Sequence, residues 1–120
     1  MRNDSHVRGV LGEIRAEQML CDKGYEILAR NFRVSGAEID LIAADGKCVV
    51  FIEVKMRNQS AFSGREAVTP SKQKRICKGA LYYMMRNGLM NRQARFDVIE
   101  IQGERVTHIV NAFPYQGPSF

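Results

Sequence analysis

A chain of 120 residues that is 45% hydrophobic and 26% charged suits one domain with one core and is too apolar for a disordered tail. No apolar run approaches the roughly 18 residues of a membrane-spanning helix, so we expect no membrane protein of the helical kind. The net charge is +5, but Lys55–Arg95 holds ten basic residues and one acid, a balance of +9 against −4 for the rest. A segregated basic segment favours a polyanionic partner such as nucleic acid, and a solvated helix face explains it equally well.

The first predicted helix runs from about Arg8 to Asp22, and Lys23-Gly24 ends it. Two neighbouring stripes follow helical spacing, one of Val10, Ile14, Glu17 and Cys21 and one of Gly9, Glu13, Ala16 and Leu20. Alternation from Tyr25 to about Arg33 then predicts a strand. The chain start lacks the apolar core of a signal peptide, and the three cysteines are widely spaced in apolar runs. We therefore expect reduced core thiols and a cytoplasmic protein.

The stretch AEIDLIAADGKCVVFIEVK predicts a β-hairpin over Ala37–Lys55. Its turn signal, Asp45-Gly46, pairs Ala44 with Lys47 and Glu38 with Glu53. Because side chains alternate along a strand, one face carries Glu38, Asp40, Ile42, Val49, Phe51, Glu53 and Lys55. The other face is wholly apolar, with Ile39, Leu41, Ala43, Cys48, Val50, Ile52 and Val54. In this register Asp40 and Glu53 are diagonal neighbours.

Charges on a half-apolar strand face have three explanations. The acids lie on the solvent face of a half-exposed sheet, or Lys55 neutralises them in a salt-bridge cluster, or they bind a divalent cation. Crowded carboxylates raise each other's pKa, and burying them unpaired costs several kcal/mol. Magnesium removes that cost, because it takes one or two carboxylates and completes its octahedron with water and substrate phosphate.

The second half of the chain predicts one more helix and two strands. A polar, mobile loop near residues 56–68 precedes a helix that begins at Thr69-Pro70 and ends at Asn87-Gly88. Strands follow near Arg95–Ile101 and Val106–Val110, and residues 113–120 form a short C-terminal tail. The resulting order, αβββαββ, predicts a single α/β domain over residues 1–120 with a mixed central β-sheet flanked by helices.

The order Asp40, Glu53, Lys55 on two strands of one sheet resembles the PD-(D/E)xK nuclease superfamily. The chain as a whole resembles the YraN-like family of predicted endonucleases, which are related to archaeal Holliday-junction resolvases. The residues that carry the resemblance are Gly12-Glu13, Gly24-Tyr25, Ile27-Leu28, Arg30-Asn31-Phe32, Glu38 to Ile42, Phe51 to Lys55, Val68, Lys72, Arg95 to Val98 and His108 to Phe113. One departure is Ala37, which stands where the family has a glycine, with Gly36 before it.

The resemblance implies a restriction-endonuclease-like fold and a role for each matching residue. Asp40 and Glu53 would bind Mg²⁺ or Mn²⁺, with the carbonyl of Val54 as a further ligand. Lys55 would orient or deprotonate the attacking water, or stabilise charge on the phosphate. Glu13 would bind metal through water, or it is an ordinary exposed helix acid. Glu38 would contact the residues that bind the metal without binding the metal directly, or it is a strand-end acid paired with an arginine.

Basic residues near the start of the second helix are candidates for phosphate contact, because free helix amides already favour anions. The candidates for nucleic-acid binding are Arg57, Lys72, Gln73, Lys74 and Arg75. The expected function is metal-dependent endonucleolytic cleavage of DNA, with branched or Holliday-junction-like DNA as a candidate substrate. The alternatives are a nucleic-acid-binding module with little or no cleavage and a protein-interaction role with structural acids.

We also expect a homodimer, since the related resolvases act on two-fold symmetric junctions. Its candidate contacts are Tyr82, Met85, Leu89 and Met90 with the tail segment Phe113-Pro114-Tyr115.

Overall fold

The computed structural model describes residues 4–57 and 68–117, with side chains from Val7 onward. Its elements are α1 (Asp4–Asp22), β1 (Glu26–Val34), β2 (Ala37–Asp45), β3 (Cys48–Arg57), α2 (Pro70–Arg86), β4 (Ala94–Gln102) and β5 (Arg105–Phe113). The predicted order αβββαββ is confirmed. Residues 56–57 of the predicted mobile loop belong to β3, and 58–67 lie outside the described residues. Of the predicted tail, Phe113 ends β5, and residues 118–120 lie outside the described part.

The five strands form one mixed sheet in the order β1-β2-β3-β4-β5. β3 and β4 are parallel, and the other neighbouring pairs are antiparallel. Parallel neighbours need a crossover connection, and α2 provides it. The helix therefore returns against the direction of β3, and its first turn lies beside the end of that strand. This topology brings Lys72 close to Glu53.

Helix α2 begins and ends as predicted. The Oγ1 of Thr69 accepts a hydrogen bond from the backbone N–H of Lys72 at 3.2 Å, and Pro70 fits the first helical position, where no N–H is needed. Asn87 closes the helix, and Gly88 follows with a φ of 67°. Its buried face consists of Ile76, Cys77, Gly79, Ala80, Tyr83 and Met84. These residues cover the sheet face that includes Phe51 and Phe96.

Helix α1 covers the opposite face of the sheet with the helical stripe that contains Ala16 and Leu20. Ala16 and Leu20 are fully buried against that face, whereas Ile14 of the other stripe is 58% exposed. A Cβ on Gly12 would lie 2.4 Å from the Sδ of Met56, so glycine lets the helix approach β3 closely. Cys21, expected as a core thiol, is exposed, while Cys77 is buried and Cys48 half-buried.

The predicted hairpin register was wrong by two residues. Asp45 pairs with Cys48, Ile42 with Phe51 and Leu41 with Ile52. The turn residues are thus Gly46 and Lys47, and of these the described backbone gives a positive φ, 60°, to Gly46. Glycine at the first central position is typical of a type II′ turn. The pairing of the two strands ends at Leu41 and Ile52, and the even displacement leaves the side chains of these paired residues on their predicted faces.

Ile39 departs from its predicted face, and the alternation of β2 is interrupted between Ile39 and Leu41, around Asp40. Ile39 packs in the core beneath α2 and Leu41 in the core beneath α1, although two residues apart should share a face. On β1, Arg30 pairs with Leu41 and Phe32 with Ile39, and the intervening Asn31 has a φ of 51°. The left-handed Asn31 and the interruption around Asp40 therefore lie side by side. This corrects the prediction that Ile39 shares the face of Leu41.

Candidate active site

The predicted acids meet at the end of the hairpin where α2 begins. A cavity of about 230 Å³ lies there, and the described residues that line it are Gly36, Glu38, Asp40, Glu53, Lys72, Arg75 and Ile76. Gly36 has a φ of 79° and carries the turn before β2, while Ala37 is already a buried strand residue. Although Ala37 stands where the family has a glycine, the turn before β2 still contains one, Gly36.

The surroundings of Asp40 in the cavity raise the pKa of its carboxyl group. Burial, and then the negative charge of Glu53, raise the pKa of Asp40 to about 7, while the backbone N–H of Val54 opposes the shift. That N–H donates to Oδ2 of Asp40 at 2.8 Å. In the metal-free protein this carboxyl group therefore keeps its proton to a higher pH than an ordinary aspartic acid does.

Glu53 is the most enclosed acid of the cavity, and its partner comes from α2. Its side chain is 4% exposed, and its Oε2 lies 2.5 Å from the Nζ of Lys72, which is 36% exposed. The ion pair satisfies the buried carboxylate with a charge from the first turn of the helix. Sequence analysis assigned Lys72 to the nucleic-acid backbone, and the structure places its ammonium group inside the acid cluster.

Glu13 and Glu38 extend the negative charge toward α1. Burial and then the charge of Glu38 raise the pKa of Glu13, and a hydrogen bond from the side chain of Asn31 partly offsets them. Glu38 pairs with Arg33 at 3.3 Å on the protein surface. The left-handed Asn31 thus has a second role, because it hydrogen-bonds the acid of the first helix. Its place in the family-like segment Arg30-Asn31-Phe32 was the only sequence signal for it.

Lys55 lies two residues beyond Glu53 on β3, half-buried and on the same face by alternation. Among the described residues, neither Lys55 nor Glu13 lines the cavity itself. Val54 packs toward the core beneath α1, and its N–H is the group that contacts Asp40.

The predicted nucleic-acid-binding residues occupy three different environments. Lys74 and Arg75 are exposed on α2. Gln73 donates to the backbone oxygen of Val68 at 2.8 Å, so its amide helps to hold the start of the helix. Arg57 forms a largely buried ion pair with Glu100 at 2.8 Å, so protein already neutralises its charge.

The donor set at the cavity fits a hard divalent cation that shares its shell with water and substrate. Within residues 4–57 and 68–117, no three His, Cys, Asp or Glu side chains are arranged to hold a metal ion by themselves. Two facing carboxylates are nevertheless the usual protein contribution to Mg²⁺, with water and phosphate supplying the remaining oxygens. Asp40 and Glu53 meet that requirement.

Comparison with known proteins identifies the family. The model of "Uncharacterised protein family UPF0102" matches residues 12–101, which include every acid of the cavity. The chain belongs to the UPF0102 family. UPF0102 proteins of Geobacter sulfurreducens and Pelobacter propionicus are 44% and 47% identical to it, and the alignments cover 89% and 93% of this chain and 88% and 86% of the relatives. A third, from Geotalea daltonii, is 42% identical over 93% of both chains. These names give the family and no activity.

A second polar cluster of this UPF0102 protein was missed by sequence analysis, which assigned nothing to His108. Asp97 is fully buried and accepts hydrogen bonds from Arg95 at 3.0 Å, from His108 Nε2 at 2.7 Å and from the backbone of Asn111 at 2.9 Å. The Nζ of Lys23 lies 2.9 Å from His108 Nδ1. An ammonium group only donates, so Nδ1 accepts and the ring proton is on Nε2.

This second cluster stabilises a buried charge. Burial opposes ionisation of Asp97, but its bonds to His108 and Arg95 outweigh burial and lower its pKa. Arg95 also contacts Asp45 and the hydroxyl of Tyr25. The cluster therefore joins β4 and β5 to the segment after α1, away from the carboxylate cavity.

Neither described helix has the length and hydrophobicity that crossing a membrane requires.

Proposed function

We propose that this UPF0102 protein is a metal-dependent endonuclease that hydrolyses DNA phosphodiester bonds. The observation that carries the proposal is the cavity that Asp40 of β2 and Glu53 of β3 both line, with Lys55 two residues beyond Glu53 on β3. The resemblance to PD-(D/E)xK nucleases supports the same reaction. Branched DNA is the substrate form that the resemblance to junction resolvases favours.

In the proposed site, Asp40 and Glu53 would hold Mg²⁺ or Mn²⁺ together with the backbone carbonyl of Val54. A bound ion supplies Lewis acidity, lowering the pKa of water and neutralising charge on the phosphate. Lys55 orients the attacking water, takes up its proton, or stabilises charge on the phosphate oxygens. The water oxygen would bond to phosphorus as the bond from phosphorus to the leaving sugar oxygen breaks, and solvent water would supply the proton that the leaving oxygen takes up.

The basic residues of α2 bind the substrate backbone. Lys74 and Arg75 are exposed, and Arg75 lines the cavity itself, so a phosphate that enters would meet a positive charge. The first turn of α2 has no acidic residue to oppose an anion. Three free cysteines fit a reducing compartment such as the cytoplasm.

A nucleic-acid-binding module without cleavage is the second candidate. Lys72 already neutralises Glu53, and the described residues hold no ready-made group of three metal ligands. A fold that binds DNA through α2 and keeps its acids paired would show both features. Cleavage separates the two candidates.

The test is incubation of purified protein with linear, flapped and four-way DNA in Mg²⁺ or Mn²⁺. We expect cleavage by wild type and loss of most of it in Asp40→Asn and Lys55→Ala. Lys47→Ala changes an exposed lysine of the same hairpin and should cut normally. Equal cleavage by wild type, Asp40→Asn and Lys55→Ala would assign the activity to another site or a contaminant. No cleavage by wild type with either metal would favour the binding module.

A homodimer is part of the proposal, because one small chain presents one site and a junction has two strands to cut. Of the expected contact residues, Tyr82, Met85, Met90 and Tyr115 are exposed. Leu89 is half-buried against the core beneath α2, and Phe113 is buried in that core. The exposed members offer apolar area that a second copy would cover.

A further inference from the structure

We propose that Lys72 is the built-in counter-ion of the carboxylate site and that a divalent metal ion displaces it from Glu53. This inference rests on the proposed function, because it requires that Asp40 and Glu53 bind the metal. It assigns to Lys72 a positioning role that alternates between the acid and the substrate phosphate.

The ammonium group of Lys72 lies against a buried carboxylate. The Nζ of Lys72 lies 2.5 Å from Oε2 of Glu53, whose side chain is 4% exposed. A buried carboxylate without a partner is costly, so the lysine stabilises the metal-free fold. The same ammonium also lowers the pKa of Asp40, which places it within electrostatic range of both acids.

A metal ion and the ammonium group of Lys72 would compete for the same carboxylate oxygen atoms. A metal ion bound between Asp40 and Glu53 would lie within a few ångströms of the ammonium group, and like charges at that distance repel strongly in a partly buried cavity. Of the described acids nearby, Glu38 already pairs with Arg33, and Glu13 does not line the cavity. Metal and lysine therefore exclude each other at Glu53.

The side chain of Lys72 has room to move once a metal ion displaces it from Glu53. Lys72 is about one-third exposed and sits on a flexible four-carbon stem, so its head group can swing without moving the helix. Arg75, one turn further along α2, lines the same cavity. A displaced Lys72 would join Arg75 at the cavity, where a phosphate bound to the metal would lie. One cation thus replaces another on the acids, and the lysine becomes available to the substrate.

The test compares Lys72→Gln with Lys74→Gln, which removes the same charge from an exposed position two residues away. Calorimetric titration with Mn²⁺ should show about three- to tenfold tighter binding for Lys72→Gln than for wild type, because the competitor is gone. Lys74→Gln should match wild type. The midpoint of thermal unfolding should fall in metal-free Lys72→Gln and recover more on Mn²⁺ addition than wild type does.

DNA binding gives an independent measurement. With Ca²⁺ in place of Mg²⁺ to suppress cleavage, wild type should bind DNA more tightly than without metal, and Lys72→Gln should lose most of that gain. Lys74→Gln should weaken binding equally with and without metal, since its charge faces phosphate in both states.

Wild-type protein supplies a measurement that does not depend on a variant folding. The ¹H–¹⁵N signal of the Lys72 ammonium group, protected by its ion pair, should disappear or shift on addition of Mg²⁺. A signal unchanged at saturating Mg²⁺, or Mn²⁺ affinity in Lys72→Gln no higher than in wild type, would overturn the displacement while leaving the metal site intact. No metal binding by wild type at all would overturn the proposed function together with this inference.

Discussion

Replacing Asp40 with asparagine should stabilise the metal-free protein at neutral and alkaline pH. Burial, followed by the charge of Glu53, makes the ionised form of Asp40 unfavourable in the folded state. Asparagine has a similar shape and keeps an oxygen that can accept from the N–H of Val54, but it has no charge to desolvate. The metal-free wild-type protein is therefore less stable than a variant with a neutral side chain at this position.

The magnitude follows from the two pKa values of Asp40, about 7 in the folded protein and 3.8 as its ordinary value. Between them the folded state keeps a proton that the unfolded state releases, so stability falls as pH rises, by about 1.4 kcal/mol per pH unit. The free energy of unfolding begins to fall near pH 3.8, the ordinary pKa of Asp40, and levels off above about pH 7, its pKa in the folded protein. The full cost is ~4 kcal/mol, and the advantage of Asp40→Asn should grow from roughly 1–2 kcal/mol at pH 5 to roughly 3–4 kcal/mol at pH 8.

Urea unfolding in a metal chelator, measured at several pH values from 5 to 8, checks this prediction. Glu38→Gln is the matched control, because it removes an exposed carboxylate of the same cavity whose ion pair with Arg33 is worth little. Its effect should stay within about 0.5 kcal/mol of wild type at every pH. If Asp40→Asn were no more stable than wild type at pH 8, or if its advantage did not change with pH, the burial argument would be refuted.

Four further predictions concern other parts of the molecule. Asp97→Ala should cost about 3–5 kcal/mol in urea unfolding, because it removes the buried carboxylate that accepts from Arg95, His108 and the backbone of Asn111. Since the folded pKa of Asp97 is lowered, wild type alone should lose the Asp97 contribution as acid protonates this group. DNA affinity should fall steeply with salt concentration, and Arg75→Gln should reduce the slope of log K against log salt by about one, whereas a slope near zero in wild type would exclude phosphate contact. Lys55→Ala should abolish most cleavage while Mn²⁺ affinity by calorimetry stays near the wild-type value; a large loss of affinity would make Lys55 part of the metal site. Met85→Asp places a charge on a side chain that is 58% exposed and should convert a dimer to a monomer in sedimentation, and a wild type that is monomeric at high concentration with and without DNA would contradict the dimer.

Local sequence signals predicted the elements of this fold well, because those signals act over a few residues. Helix α2 begins after Thr69 and ends at Asn87-Gly88 as expected, since a capping hydroxyl and a left-handed glycine need no tertiary context. The alternation of Phe51, Glu53 and Lys55 likewise assigned these residues to one face. An error of two residues in the hairpin register left that assignment intact, because faces repeat every two residues.

Tertiary structure decided what each charge contacts. Lys72 and Glu53 are 19 positions apart in the sequence, and only the crossover from β3 to β4 brings the first turn of α2 back to the end of β3. His108 and Asp97 are joined by the pairing of β4 with β5, which no local spacing reveals. The sequence by itself determined which side chains carry charge and which strand face they share. Partner choice, burial and the raised pKa of Asp40 arise only when separate elements pack together, because desolvation and Coulomb interaction depend on distance in space.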